Sequence, residues 1–162
     1  MPPDPDQLLR QADALAGGAG ASQADLRRAI STAYYAVFHF SLTAAADMVC
    51  GLGDRSAARY SLVYRSVDHK TLRSLCAQLS QTKPQGMAIK PSNGLGRMAD
   101  FARVTANLQG QRHQADYEPS QTFTDTEAKL AISEARQAIA WFNSCDDEQQ
   151  KAFLTMLLFR PR

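Results

Sequence analysis

Residues 25–49 read DLRRAISTAYYAVFHFSLTAAADMV, and this stretch decides the fold. It contains neither Pro nor Gly. Ser22 precedes it as an N-cap, and Asp25 puts a negative charge in the first turn, where the helix dipole favours one. Gly51 and Gly53 end the run. At the usual rise per residue the stretch is one helix of roughly 40 Å. Leu26, Ile30, Ala33, Val37, Phe40 and Ala44 recur at three- and four-residue spacing and form one buried stripe. Tyr34, Phe38 and Leu42 cover a second face, and Tyr35 and His39 a third. Only the first two turns, with Asp25, Arg27 and Arg28, read as wet. A helix apolar nearly all round is surrounded by other helices, so this is the expected central element.

The flanks supply those neighbours. Residues 4–16 form a helix with Leu8, Leu9, Ala12 and Leu15 on one face, stopped by Gly17 and Gly18. The short connection predicts an antiparallel hairpin with the central helix. Residues 55–80 divide into two helices near Val67–His69, because Asp68 can cap the second. The stretch 81–94, QTKPQGMAIKPSNG, is the long loop and the segment expected to move most. Residues 95–117 form a helix with Leu95, Met98, Phe101, Ala102, Thr105 and Leu108 in line, and Pro119 follows its end. Thr124 and Glu127 form a capping box ahead of a long helix, and a last short helix runs over 147–159. No alternating run is long enough for a strand. The expected class is all-α, a single domain over residues 1–162 with about five to six helices.

Composition narrows the functional classes. An apolar share of 44% and a charged share of 21% are ordinary for a globular protein. No apolar run reaches membrane-spanning length, and the N-terminus has no secretory pattern, so a cytoplasmic location is expected. Cys50, Cys76 and Cys145 have no metal-ligand spacing, and neither a metal nor a cofactor is expected. The net charge of +2 is unevenly spread. Residues 54–103 carry nine Lys/Arg against three Asp, and each flank is net acidic. A basic middle suits phosphates, although a solvated polar face is its ordinary reading.

The densest polar cluster is Arg112-His113-Gln114-Ala115-Asp116-Tyr117. Continuing the stripe 98, 101, 105, 108 lands on Arg112, which places a guanidinium where apolar residues belong. Such a charge needs a partner. Asp116, one turn on, supplies one, and an Arg so held presents a fixed fork suited to phosphate or carboxylate. A structural ion pair ending the helix is the plainer alternative. His39, four residues from Tyr35, reads first as a bonded core histidine. His69 and Lys70 read as a surface cap at a helix start. Tyr35, His39, His69 and Lys70 are the further ligand-binding candidates beside Arg112.

A resemblance joins these pieces. Residues 27–39, RRAISTAYYAVFH, resemble the "R-x-A-Y-Y-A-x-F-H" helix of HEPN proteins. Asp68-His69-Lys70 resembles the start of their next helix, and Arg112 to Tyr117 resembles the "R-x-x-A-D-Y" helix end of one branch. Order and spacing agree over about residues 22–143. The resemblance implies an up-and-down helical bundle that forms a homodimer. It implies either a metal-independent RNase, as in the toxins of toxin–antitoxin pairs, or a protein that acts beside a small nucleotidyltransferase.

In the RNases of that superfamily an Arg is followed within a few residues by a His. Here no Arg has a His five to seven positions later, and Tyr117 stands five after Arg112. The leading expectation is therefore a binding module of a toxin–antitoxin or defence system, with a nucleotide, RNA or a nucleotidyltransferase-type partner. The alternative is a divergent RNase using Arg112 with His113, Asp116 or Tyr117 as catalytic residues. A structural adaptor is the third reading.

Overall fold

A computed structural model describes residues 1–161. Its helices are α1 (Pro5–Gly17), α2 (Gln23–Cys50), α3 (Ala58–Tyr64), α4 (His69–Leu79), α5 (Arg97–Tyr117), α6 (Asp125–Ser144) and α7 (Asp147–Leu158). A short 3-10 turn, Leu52–Asp54, links α2 to α3. There is no strand among the described residues. Among the described residues the protein is an all-α bundle of seven helices, one for each helical stretch read in the sequence, rather than the five to six expected in total.

α2 is the central helix that its composition predicts. Leu26, Ile30, Ala33, Tyr34, Val37 and Leu42 are all buried, and α1, α3, α5, α6 and α7 pack around it. Ser22 and Asp25 form a reciprocal capping box at its start. Gly51, at φ +80°, turns the chain away at its end. Alanines 29, 33, 36, 45 and 46 let the neighbouring backbones come close.

The division of 55–80 follows from Asp68, whose Oδ1 accepts from Thr71 N at 2.7 Å and starts α4. Pairs of reciprocal caps also start α6 (Thr124 with Glu127) and α7 (Asp146 with Gln149). In α5, Met98, Phe101, Ala102, Thr105 and Leu108 are buried as the stripe predicts, and Gly110 does not interrupt the helix.

The 81–94 stretch is irregular, as its Pro and Gly content dictates, and its C-terminal end is tied down. Ser92 donates from N and Oγ to the Glu148 carboxylate at 2.9 and 2.6 Å. Gln149 Nε2 donates to Gly94 O at 2.9 Å, and Pro91 is buried. These bonds fasten the loop to the N-terminus of α7. No helix among the described residues is long and apolar enough to cross a membrane.

Candidate functional site

One face of α2 carries Arg27, Ser31, Tyr35 and His39, each four residues after the last. Four residues advance an α-helix slightly more than one full turn, so the four side chains form a slowly winding stripe. Each meets a different partner on another element.

Arg27, nearest the helix start, reaches the C-terminal end of α5. Nη1 donates to Ala115 O at 2.7 Å and Nη2 to Glu118 O at 2.9 Å, with Gln121 O also accepting. The guanidinium lies 5.6 Å from the Phe123 ring centroid. The carbonyls at the end of a helix have no intrahelical donor, and Arg27 provides one. Gln23 pairs with the Phe123 backbone through both its amide atoms, at 2.7 and 2.8 Å. Together they fix the last turn of α5 against α2. Arg27 is therefore a half-buried clamp rather than a wet residue.

Ser31 donates to Asp116 Oδ1 at 2.8 Å, and Tyr35 OH accepts from Arg112 Nη2 at 2.9 Å. Arg112 and Asp116 form the expected pair one turn apart, with Nε 2.8 Å from Oδ2. That contact is an ion pair whose N–H is not aligned on the oxygen, so the buried Nε lacks a true hydrogen bond. The Arg112 side chain is 14% exposed. Its guanidinium lies 5.4 Å from the Tyr35 ring and 5.5 Å from the Tyr117 ring. Burial opposes its charge, but Tyr35, Asp116 and Tyr117 outweigh burial and raise its pKa.

His39 and His69 are held alike. His39 Nδ1 meets Tyr64 OH at 2.5 Å, and His69 Nδ1 meets Tyr34 OH at 2.8 Å. Each imidazole thus has one nitrogen fixed by a phenol. Burial, and then His69, depresses the His39 pKa. Burial and then Arg112 depress that of His69, with Asp68 opposing. Burial raises both phenols, Tyr64 to about 12.

His69 is not the surface cap its position suggests. Asp68 does the capping, and the His69 ring stacks on Phe38 at 4.0 Å and meets Tyr35 edge-on at 5.7 Å. Gln109 Nε2 donates to His69 O at 3.0 Å, tying this turn to α5.

The result is a row of rings and one cation across three helices. Tyr64, His39 and Tyr35 follow one another at 6.1 Å per step. Arg112 and Tyr117 continue the row, and His113 ends it 5.1 Å from Tyr117. Of the expected site residues, Arg112, Asp116, Tyr117, Tyr35, His39 and His69 come together. His113 is exposed and reaches Arg112 only by way of Tyr117, which leaves it poorly placed as that arginine's catalytic partner. Lys70 is exposed and has no ion-pair partner among the described residues. Ser31, Tyr34, Phe38, Tyr64 and Arg27 are the members that sequence reasoning did not assign to the site. The four-residue spacing of Arg27, Ser31, Tyr35 and His39 signalled two of them, and the resembling stretch 27–39 contains Tyr34 and Phe38 as well.

Chemically, the site offers a permanent cation on a fixed fork. Tyr35 OH accepts from Arg112 and keeps its own proton free to donate. That pair suits an oxyanion. Two imidazoles flank Tyr35, and a flat exposed phenol, Tyr117, stands at the rim. Among the described residues no group of three or more His, Cys, Asp and Glu could hold a metal ion.

A cavity of about 670 Å³ lies elsewhere, lined by Phe40, Met48, Phe142 and Leu154 with Arg55 and Lys151. Both of those cations are already neutralised, by Asp47 and Asp147. Volume favours that cavity, whereas the arrangement of hydrogen-bonding groups favours the Arg112 cluster. No family model, no curated protein and no solved structure matches the chain.

Proposed function

We propose that this helical bundle is a binding module whose ligand carries a phosphate, as a nucleotide or an RNA does, and that it works beside a nucleotidyltransferase-type partner in a toxin–antitoxin or defence setting. The observation that carries the reading is the tethering of Arg112 between Tyr35 and Asp116, with the Tyr35 and Tyr117 rings 5.4 and 5.5 Å from its guanidinium. A fork held in this way loses little entropy on meeting an oxyanion, and adjacent π-faces suit a base. The setting and the partner rest on the HEPN resemblance. So does the homodimer, whose mass light scattering would give as twice that of the chain.

A divergent RNase is the second reading. The two imidazoles beside Tyr35 favour it, since His39 and His69 each keep one nitrogen free of the phenol bond. The missing His after Arg112 weighs against it.

The test is anisotropy with a labelled oligoribonucleotide, and calorimetry with AMP, for the natural chain and for Arg112→Lys. Binding lost in Arg112→Lys, with the chain still folded at the assay temperature, supports the reading. Unchanged affinity makes Arg112 scaffolding and sinks it. In the same samples, with chelator present, the RNA is expected to stay intact. Cleavage that Arg112→Ala abolishes would establish the enzyme instead.

A further inference from the structure

Residues 52–66 are fastened to the bundle in an unusual way. α3 buries one side chain, Tyr60, and leaves Leu62 75% exposed. Its main packing partner is α2. Tyr64 packs partly buried against the core and stacks on His39, and the remaining attachments are polar. Arg55 donates from Nε and Nη2 to the two Asp47 carboxylate oxygens at 2.9 and 2.6 Å, and Tyr60 OH donates to the same carboxylate at 3.2 Å. Arg59 reaches Cys50 O at 3.3 Å, and Tyr64 OH meets His39 Nδ1 at 2.5 Å. Water can replace such bonds at small net cost, which is not true of buried apolar contacts. Gly51, at φ +80°, and Gly53 provide a hinge at one end. Val67, 5% exposed, is a fixed point at the other.

Tyr64 is the member of this segment that reaches the site. Its ring lies within 6° of parallel to His39, which in turn faces Tyr35, the residue that holds Arg112. From Arg112 through Tyr35 and His39 to the place of Tyr64 there are three steps, 5.4, 6.1 and 6.1 Å, a reach that suits consecutive nucleotides of a single-stranded oligonucleotide rather than one nucleotide. Building on the function proposed above, we propose that segment 52–66 is an autoinhibitory lid. When it is closed, Tyr64 fills the place beside His39 that a planar ring of the Arg112-bound ligand takes when it is open.

Hydrogen exchange read by mass spectrometry on the whole chain tests the lid without any ligand. Amides of 58–66 are expected to exchange together and well ahead of those in α2, α4 and α5. Tyr64→Phe, which removes one hydrogen bond, should speed them a further five- to tenfold while α5 stays unchanged. Protection of α3 equal to that of α2 overturns the lid.

A fluorescein-labelled oligouridylate tests the inhibition. Tyr64→Ala, checked for helicity by circular dichroism, should bind the probe at least about threefold more tightly than the natural chain. Binding that is unchanged or weakened overturns the inhibitory role of Tyr64. If neither the natural chain nor either variant binds the probe, the ligand reading of Arg112 fails and takes that role with it. The exchange result then still decides whether 52–66 opens as a unit.

Discussion

Tyr35 and Arg112 stand 77 positions apart, and the hydrogen bond between them, 2.9 Å from Nη2 to the phenol oxygen, joins the central helix to the last two turns of α5. The same phenol lies beside His39 and His69. Whatever binds at Arg112 therefore also meets Tyr35.

Arg112→Ala should cost about 1–2 kcal/mol of stability, because it strips Asp116 of its cation while Ser31 still bonds the carboxylate. Arg112→Lys should cost less, since the ammonium still offsets the charge. Thermal melts of the two variants give the comparison. Equal losses would mean that the fork geometry, not the charge, is what α5 requires.

Arg27→Met should lower stability by about 2–3 kcal/mol, because the carbonyls of Ala115, Glu118 and Gln121 lose their shared donor. Arg28→Met, at an exposed position, should change it by no more than about 0.5 kcal/mol. Urea unfolding separates the two. Similar midpoints for both variants would remove Arg27 from the clamp.

Acid should destabilise the protein before its carboxylates titrate. The pKa values of His39 and His69 are depressed below the ordinary 6.5 in the folded state. The unfolded chain then binds more protons as pH falls through that value, so stability declines until the folded imidazoles also protonate. The depressed carboxylates, Asp25, Asp68 and Glu148, contribute stability above their unfolded values of 3.8 to 4.5 and lose it only at lower pH. A melting temperature that falls between about pH 7 and pH 5 is expected, with a shallower fall in His39→Gln. A flat profile over that range would show that the imidazoles are not desolvated.

Gly96→Ala should cost about 1–2 kcal/mol. Gly96 has φ +53°, and an added Cβ would meet Gln149 Nε2 at 2.9 Å. That amide cannot swing aside freely, because it already bonds Gly94 O. Gly110→Ala, inside α5 with nothing within 4 Å of the new methyl, should instead stabilise by roughly 0.5–1 kcal/mol. Calorimetric melts of the pair test both signs at once.

Whatever depends on near neighbours along the chain was legible in the residues alone. The composition of α2 made it central, and the capping residues Ser22, Asp68 and Thr124 set where three helices begin. The pairing of Arg112 with Asp116 was legible because residues four apart on a helix share a face. Who else stands beside that pair follows only from how the helices pack. Ser31 lies 85 positions from Asp116, and His69 lies 35 from Tyr34. Such meetings depend on how far each helix is rotated and shifted against the next, which large numbers of weak apolar contacts fix collectively and no local pattern records. For the same reason His69 reads as a surface cap in the sequence yet lies among aromatic rings. The end of the 81–94 loop likewise reads as loose until α7 supplies Glu148 and Gln149 to hold Ser92 and Gly94.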